Sequence, residues 1–368
     1  MNRFNYILSL ALISSFGLFV ACNDEQPLII APEPTLPTAL ANYTEPAISG
    51  NFWVDQSKFN VSDAGATLGR VLFYDKILSK TNKVSCGSCH DQSVGFSDPV
   101  ALSSGVHEQI LTRHTPAIVN AYDDQMLFWD GRVKSLEELV LKPVRNHKEM
   151  GLDNMEFLLA KLKKAKYYPA LFKDAFGTPE ISQERIADAM AQFVRSMVSA
   201  RSKFDKVMAG EEQFTSLEEQ GQSVFFGEGR CYNCHLGQDF NERGGFFFGW
   251  AKPQANIGLD EEYLDPGVGA FNPDQVGEFK IPSLRNVAVT APYMHDGRFN
   301  TLHEVINHYN NEIADHDNLA FELRDWQTDG PARLGLEEHE VTALIRFLET
   351  LTDYEYLKDE RFSDPFVK

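Results

Sequence analysis

Two short motifs contain four of the five cysteines of the chain. In each motif, two cysteines separated by two residues are followed directly by a histidine. Two thiols at this spacing can add to the two vinyl groups of one haem, and the adjacent histidine then supplies an axial ligand to the iron. The sequence therefore predicts two covalently bound haem c groups, held by Cys86, Cys89 and His90 and by Cys231, Cys234 and His235.

A zinc site and a redox dithiol are the alternative uses of a Cys-x-x-Cys pair. A zinc ribbon brings its two pairs within about 15–20 residues of each other and needs no histidine after each pair. A thioredoxin-like dithiol needs a βαβ setting, and convincing runs of alternating strand pattern are absent here. The histidine after both pairs, together with an export signal at the start of the chain, favours haem.

The first 22 residues predict this export signal. Arg3 supplies a positive start and residues 6–20 form an apolar run. The run ends in Phe19-Val20-Ala21-Cys22, which resembles a bacterial lipobox with Cys22 as the lipidated residue. An uncleaved membrane anchor is the alternative, although the run is shorter than the roughly 20 apolar residues that span a bilayer. We expect a protein of the periplasm or cell surface, attached to a membrane only through its N-terminal lipid.

The composition predicts packed cores and excludes one class of partner. Hydrophobic residues make up 43% of the chain, which argues against global disorder. The formal net charge of −19 disfavours nucleic acid as a partner, because phosphate binding needs a basic surface. With Cys22 in the lipobox and the other cysteines in the two motifs, none remains for a disulfide elsewhere.

Apolar residues at three- and four-residue spacing predict a largely helical chain. Two pairs, Thr215 with Glu218 and Thr301 with Glu304, predict capping boxes at helix starts. The segments with helical spacing are 136–141, 155–164, 181–201 and 336–351.

The predicted fold is mainly α, with two cytochrome c-like haem domains and long irregular loops. After the signal peptide at 1–22, the proline-rich segment 23–50 predicts a semi-rigid tether. Because the haem motif occurs twice, we expect an N-terminal haem domain over 51–210 and a C-terminal haem domain over 211–368. Residues 244–282 are rich in glycine, proline and aromatic residues and predict an irregular segment of the kind that often walls a cofactor.

Several further motifs follow one another in a specific order between residues 68 and 351. As a set they resemble bacterial di-haem cytochrome c peroxidases and their relative, the methylamine-utilisation enzyme MauG. The motifs are Leu68-Gly69-x-x-Leu72-Phe73, Gly95-Phe96-Ser97-Asp98, Arg113-x-Thr115-Pro116, Asn120-Ala121, Phe128-Trp129-Asp130-Gly131-Arg132, Glu149-Met150, Pro282-Ser283-Leu284-Arg285-Asn286 and Pro292-Tyr293-Met294-His295-Asp296-Gly297.

The resemblance implies different tasks for the two haems. In the family, peroxide reacts at the N-terminal haem and the C-terminal haem stores or relays electrons, with a tryptophan between them that matches Trp129. Glu149 matches the glutamate that moves a proton during peroxide cleavage, and Pro143 matches the pocket wall. A core aromatic and a surface carboxylate are the alternatives for Trp129 and Glu149. Leu139 stands where many relatives carry glutamine, which removes a hydrogen-bond partner for peroxide.

The resemblance also points to distal ligands of the two irons. In classical members a distal histidine blocks the N-terminal iron, and His107, next to the matching position Val106, is the candidate here. A solvent-facing loop histidine is the alternative. At the C-terminal iron, Tyr309 matches the tyrosine ligand of MauG-like enzymes, where classical peroxidases use methionine. A phenolate stabilises ferric iron, which predicts a haem that is harder to reduce.

Helical spacing puts Tyr309 on the same face as the apolar residues of the helix predicted from Thr301. A core tyrosine with a hydrogen-bonded hydroxyl is the alternative interpretation. The nearby histidines are predicted to be surface residues, namely His303, His308 and His316.

Calcium is a further cofactor that the resemblance implies. Relatives hold one ion between the haems with an asparagine and the backbone of a Thr-x-Pro segment, matched here by Thr290 and Pro292. The asparagine position is His114, and Ca²⁺ prefers oxygen ligands, so we expect a weakened or absent site.

These residues predict a di-haem c-type peroxidase that reduces hydrogen peroxide to water. Its electrons would come from a small redox protein, such as a cytochrome c or a cupredoxin, through the C-terminal haem. One alternative is a MauG-like oxidase that uses peroxide to oxidise a protein substrate, favoured by Tyr309 and Leu139. Another is a di-haem electron carrier without catalytic activity. A homodimer is a further expectation.

Overall fold

The computed structural model describes residues 33–35, 42–44, 48–49, 52–53, 60–124, 126–237, 239–240 and 253–366. The predicted export signal with Cys22 lies outside these residues, as does most of the predicted tether. Of the described helices, none is long and apolar enough to cross a membrane.

The described chain is rich in helix with few strands, as predicted. Two short antiparallel pairs supply the strands: β1 (Ile48–Ser49) with β2 (Phe52–Trp53), and β3 (Gln254–Ala255) with β4 (Phe279–Lys280). The helices are α1 (Asp63–Tyr74), α2 (Leu136–Leu139), α3 (Leu141–Arg145), α4 (Met155–Lys164), α5 (Tyr168–Phe176), α6 (Gln183–Ser196), α7 (Lys203–Met208), α8 (Ser216–Phe226), α9 (Leu302–Asn307) and α10 (Glu338–Glu349).

Local signals predicted the helix starts well. The side chain of Thr215 accepts from the Glu218 backbone N–H at the start of α8, and Glu218 reaches back to the Thr215 N–H. Thr301 and Glu304 form the same box at α9. Each box pairs donors that the first helical turn would otherwise leave without partners.

Each half of the chain is built around one crossing pair of helices. In the first half α1 packs on α6, and a Cβ atom at Gly69 would overlap the carbonyl oxygen of Ala189. In the second half α8 packs on α10, and a Cβ atom at Gly221 would overlap the carbonyl oxygen of Ala343. Because both glycines allow the same close backbone approach, the two halves repeat one helix crossing.

Two asparagines extend this repeat beyond the helices. Asn120 and Asn286 both have left-handed backbone conformations, with φ of 50° and 63°. The Asn120 N–H donates to the Met197 carbonyl just after α6, and the Asn286 N–H donates to the Leu351 carbonyl just after α10. The repeated haem motif therefore sits in a repeated structural framework.

The C-terminal residues return to the first half of the chain. Tyr356 and Phe362 share a buried cluster with Phe96, which follows the N-terminal cysteine motif in the chain. The Tyr74 hydroxyl on α1 donates to the Phe362 carbonyl at 2.7 Å. Tyr43, which lies in the predicted tether, is buried in the same cluster. The chain at Tyr43 therefore packs on the folded body, which corrects the tether interpretation at that point.

The predicted irregular segment is described from residue 253 onward. There its regular structure consists of the β3–β4 pair and single 3₁₀ turns at Val268–Ala270 and Pro273–Gln275. The domain boundary at residue 210 stays a prediction.

Candidate active site

Both cysteine motifs form the same short turn. Cys86–Ser88 and Cys231–Asn233 are 3₁₀ turns, and the backbone N–H of the following histidine donates to the carbonyl of the first cysteine at 2.9 Å in each. Burial raises the pKa of the Cys86 and Cys231 thiols to about 12. None of the four described cysteines forms a disulfide. The two thiols of each motif are therefore held two residues apart on one turn and are free of disulfides, so both are available to hold a haem.

The two motif histidines are oriented in the same way. His90 donates from Nδ1 to the Phe96 carbonyl, and His235 donates from Nδ1 to the Phe240 carbonyl, both at 2.7 Å. Phe96 and Phe240 have φ of 58° and 53°, so each carbonyl is presented by a left-handed residue. Burial lowers the pKa of both histidines, that of His235 to about 4.

This orientation decides which nitrogen can bind a metal. A neutral imidazole carries one N–H, and when Nδ1 donates it, Nε2 keeps its lone pair. Such second hydrogen bonds are the usual way to orient a histidine ligand. His90 and His235 therefore fit the axial position of a haem iron, each beside the thiols that would hold that haem.

Tyr309 lies next to the C-terminal motif. Its ring packs, together with Cys234, against a buried cluster that includes Leu323. Burial and the nearby Cys234 and Cys231 thiols raise the pKa of Tyr309.

The hydroxyl of Tyr309 makes no hydrogen bond to any described residue. The other buried tyrosines differ: the hydroxyls of Tyr43, Tyr74, Tyr168 and Tyr356 each bond to a carbonyl or a carboxylate. The core-tyrosine alternative requires a hydrogen-bonded hydroxyl, and the described residues do not provide a partner. Tyr309 stays the predicted distal ligand.

The helix that carries Tyr309 departs from the predicted regular spacing. After α9 the chain makes a π-helical turn over His308–Glu312, which is wider than an α-turn. His308 is therefore buried next to Tyr309, and its Nε2 bonds to the Ile257 carbonyl at 2.9 Å. The prediction of a surface His308 was wrong because the wider turn changes which residues face inward.

The other two histidines of this region differ from each other. His303 is exposed, as predicted. His316 is half-buried, lies edge-on to the Tyr263 ring and bonds to the Asn256 side chain, so its surface assignment was wrong.

Glu149 lies beside the N-terminal motif, just after α3. Burial raises the pKa of the Cys86 and Cys89 thiols, and the negative charge of Glu149 adds to the rise at both. Asn146 donates from Nδ2 to Glu149 Oε1 at 2.7 Å. Burial raises the pKa of Glu149, while Arg132 and Asn146 oppose that shift. The sequence analysis did not identify Asn146, although its position three residues before Glu149 in a turn is a usable signal.

Pro143 and Leu139 stay predicted pocket residues. Pro143 and Leu139 are half-buried on the same helical stretch, and Leu139 packs against the main apolar cluster of the first half.

His107 points away from this pocket. It is exposed and has a φ of 57°, whereas its neighbour Val106 is buried and donates its backbone N–H to the Glu149 carbonyl at 2.8 Å. This placement matches the solvent-facing alternative, and iron ligation by His107 stays a prediction.

Trp129 lies where the two halves meet. Its indole N–H donates to the His114 carbonyl at 2.8 Å, and its own carbonyl accepts the backbone N–H of Lys280 at 2.8 Å. The same turn occurs in the second half, where Met294-His295-Asp296-Gly297-Arg298 matches Phe128-Trp129-Asp130-Gly131-Arg132. Both turns close with an antiparallel bridge, Leu127 to Val133 and Tyr293 to Phe299.

Arg113 joins the turn that contains Trp129 to the second half of the chain through two ion pairs, a role that the sequence did not indicate. Its guanidinium binds Asp130 at 2.6 Å and Asp265 at 2.7 Å. It also lies 5.7 Å from the centre of the Phe279 ring, which stacks on His295.

The residues predicted for calcium lie close to the same junction. His114 is buried, and its ring nitrogens lie 3.1 Å from Ser97 Oγ and 3.1 Å from the Ala101 carbonyl. The Ala291–Pro292 bond is cis, and Thr290 is half-buried. Among the described residues there is no group of three or more His, Cys, Asp or Glu side chains that could hold a metal ion. A calcium site stays a prediction.

Known proteins match this chain over most of its length. The family model described as di-haem cytochrome c peroxidase matches residues 63–213. The methylamine utilization protein MauG of Methylophilus methylotrophus is 34% identical over 291 residues, which are 77% of this chain and 82% of the relative. The chain belongs to the di-haem cytochrome c peroxidase family.

Both peroxidases and MauG-like proteins of this family are similar to the chain. The cytochrome c551 peroxidase of Nitrosomonas europaea is 33% identical over 78% of this chain and 79% of its own. The crystal structure of a MauG-like protein associated with microbial copper homeostasis has a TM-score of 0.74 and 31% identity, and covers 94% of this chain and 100% of its own. The protein is therefore an oxidoreductase of a family that carries two c-type haems.

Proposed function

We propose that this protein reduces hydrogen peroxide to water at its N-terminal haem, with electrons that a small redox protein delivers through the C-terminal haem. The observation that carries the proposal is the setting of Glu149: a half-buried carboxylate that accepts a hydrogen bond from Asn146 at 2.7 Å and whose backbone carbonyl accepts the N–H of Val106. Such a carboxylate could exchange a proton with peroxide bound at the haem that Cys86, Cys89 and His90 would hold.

Each haem would be held by one motif. When bound, each haem would supply a redox-active iron that exchanges electrons with peroxide or with a redox partner. The protein supplies the thioether bonds and the axial imidazoles, whose Nε2 atoms are left open by the bonds to Phe96 and Phe240. The residues concerned are Cys86, Cys89 and His90 for the N-terminal haem and Cys231, Cys234 and His235 for the C-terminal haem.

Glu149 would act as the acid–base group. Its carboxylate accepts a proton from one oxygen of hydrogen peroxide and delivers it to the other oxygen, which then leaves as water when the O–O bond breaks. Two electrons and two further protons complete the formation of two water molecules from one peroxide. General acid–base catalysis of this kind contributes about 10²–10⁴-fold in rate. Burial raises the pKa of Glu149, which makes its carboxylate a stronger base for taking up the peroxide proton above that pKa.

Trp129 would carry electrons between the halves. Its indole N–H bonds to His114 and its carbonyl to Lys280, so its ring is held at the junction by contacts from both sides. The proposed order is donor, C-terminal haem, Trp129, N-terminal haem and peroxide.

A MauG-like oxidase is the second candidate, and Tyr309 is the observation that favours it. Its hydroxyl makes no hydrogen bond to a described residue and it lies beside the C-terminal thiols. The exposed His107 also supports an N-terminal iron that no histidine blocks. Such an enzyme would use the oxidising power of peroxide to withdraw electrons from a protein substrate.

One experiment separates these candidates. The fully oxidised, haem-loaded protein is mixed with one equivalent of hydrogen peroxide, and the visible and electron paramagnetic spectra are followed. A prompt spectral change without prior reduction supports the MauG-like reaction. A change that requires one haem to be reduced first supports the peroxidase, and turnover of a reduced donor then confirms it. No reaction in either state contradicts both and leaves the electron carrier.

A further inference from the structure

A pair of exposed aromatic side chains lies on one loop of the second half. Phe321 and Trp326 are 82% and 83% exposed, among the most exposed large apolar residues of the described chain. Leu323 lies between them in sequence and is buried. Large exposed aromatic groups are costly in water and often mark interaction sites. We call Phe321, Trp326 and the loop that joins them the 321–326 patch.

Leu323 connects the 321–326 patch to the C-terminal haem motif. Leu323 belongs to the buried cluster against which Cys234 and Tyr309 pack. Backbone hydrogen bonds from Thr328 and Gln327, and to a smaller extent the positive charge of Arg230 next to Cys231, lower the pKa of Asp325. An electron that enters through this surface would therefore have a short path to the C-terminal haem.

Internal hydrogen bonds hold the patch in a defined shape. Asp325 Oδ1 accepts the backbone N–H groups of Gln327 and Thr328, both at 2.9 Å. The Arg324 guanidinium donates to the Asp329 carbonyl at 2.6 Å and to the His316 carbonyl at 2.8 Å. The aromatic rings are thus presented on an ordered loop, which lowers the entropy lost on binding.

The surroundings of the patch are acidic. Between residues 315 and 329 the chain carries five carboxylates and one guanidinium, which is the Arg324 used inside the loop. The carboxylates belong to Asp315, Asp317, Glu322, Asp325 and Asp329. The whole chain has a formal net charge of −19. Such a rim attracts a positively charged partner and speeds its encounter.

We propose that the 321–326 patch is the docking site of a small basic electron-donor protein, with Phe321 and Trp326 as the apolar contacts and the surrounding carboxylates as the steering charges. This inference rests on the proposed function in one respect: electrons enter through the C-terminal haem. Transient electron-transfer complexes have small interfaces, below about 1,200 Å² in total. Two aromatic side chains inside a charged rim suit an interface of that size.

The test measures binding and turnover separately on the haem-loaded full chain. A basic mono-haem cytochrome c is the probe, and an acidic mono-haem cytochrome c of similar size is the comparison. Binding is measured by calorimetry at low and high ionic strength without peroxide. Turnover is measured with peroxide, using either the basic cytochrome or a small organic reductant as donor. The variants are Phe321→Ala and Trp326→Ala, and Phe157→Ala on α4 is the control because Phe157 is also an exposed aromatic residue.

We expect Trp326→Ala and Phe321→Ala each to weaken binding of the basic cytochrome and to raise its KM by about tenfold, as for aromatic interface residues. The KM for peroxide, the kcat with the organic reductant and the melting temperature stay unchanged, and Phe157→Ala matches the wild type. Salt weakens binding, and the acidic cytochrome binds worse than the basic one.

Failure of the docking site and failure of the proposed function give different results. Unchanged binding in both patch variants, or equal binding of the acidic cytochrome, overturns the docking site even if peroxide turnover is normal. Binding that depends on Trp326 in a protein without peroxide turnover supports the docking site and overturns the peroxidase.

Discussion

Trp129 and His295 occupy matching positions in the two halves and are joined through a single residue. The Trp129 indole N–H donates to the His114 carbonyl at 2.8 Å, and the His114 backbone N–H donates to the His295 carbonyl at 2.7 Å. Strand β4 contacts both residues as well. The Lys280 N–H donates to the Trp129 carbonyl, and the Phe279 ring, next to Lys280 in the chain, stacks on the His295 ring. The repeated turn of the first half is therefore linked to its counterpart in the second half through His114.

Replacing Trp129 tests its place in the electron path. In Trp129→Phe a ring remains, but the indole donor to His114 and the easily oxidised indole are lost. We expect slower electron transfer between the haems after rapid reduction of the C-terminal haem, measured by stopped-flow absorbance. Phe128→Leu, which changes the adjacent ring, is the control. An unchanged transfer rate in Trp129→Phe would remove Trp129 from the path.

Glu149→Gln should abolish most peroxide cleavage. We expect kcat/KM for peroxide to fall by about 10²–10⁴-fold, the usual contribution of an acid–base group. Glu138→Gln, an exposed glutamate paired with Lys142, is the control and should leave the rate unchanged. Full activity in Glu149→Gln would place the proton transfer elsewhere.

The pH dependence of the same rate follows from the environment of Glu149. Burial raises its pKa, so in the wild type the active carboxylate is lost as the pH falls through a midpoint above the ordinary value for glutamate. The Asn146 hydrogen bond stabilises the carboxylate and lowers that pKa. Asn146→Ala should therefore move the acid limb of the kcat/KM profile to higher pH. A profile that does not move would show that another group controls the limb.

Tyr309 can be tested through the potential of the C-terminal haem. Methionine is a weaker donor to ferric iron than a phenolate, so Tyr309→Met should raise the reduction potential of this haem in a potentiometric titration. Tyr309→Phe should change its visible spectrum through loss of the ligand. Tyr263→Phe is the control, since the Tyr263 hydroxyl bonds to Asn256. An unchanged spectrum in Tyr309→Phe would show that Tyr309 does not bind the iron and is a core tyrosine.

The repeated helix crossing predicts equivalent stability defects. A Cβ atom at Gly69 or Gly221 would overlap a backbone carbonyl oxygen, so the helices must separate. We expect Gly69→Ala and Gly221→Ala each to lower the free energy of unfolding by about 1–3 kcal/mol or more, as overpacked cores do. Gly330→Ala is the control because its nearest neighbour is 3.7 Å away. Denaturant unfolding of the haem-loaded protein measures the difference, and equal stability of all three variants would contradict the close crossing.

Several features of this protein were decided by its sequence alone. The haem motifs, the capping boxes at Thr215 and Thr301 and the helix Met155–Lys164 depend on residues within one or two turns of each other. Their hydrogen bonds and spacing are local, so the order of residue types along the chain was sufficient to predict them. The order of family motifs likewise identified the family before any contact was known.

The tertiary structure decided what each of these residues faces. Tyr43 is buried only because it packs in one cluster with Phe362, which is distant in the chain. His308 is buried beside Tyr309 only because of the π-helical turn. Val106 faces inward and His107 outward because the Val106 N–H bonds to the Glu149 carbonyl. The position of Trp129 depends on bonds to His114 and to Lys280, which is distant in the chain. Sequence spacing cannot specify such contacts, because their free energy comes from surfaces and hydrogen-bonding groups that meet only when the whole chain has folded.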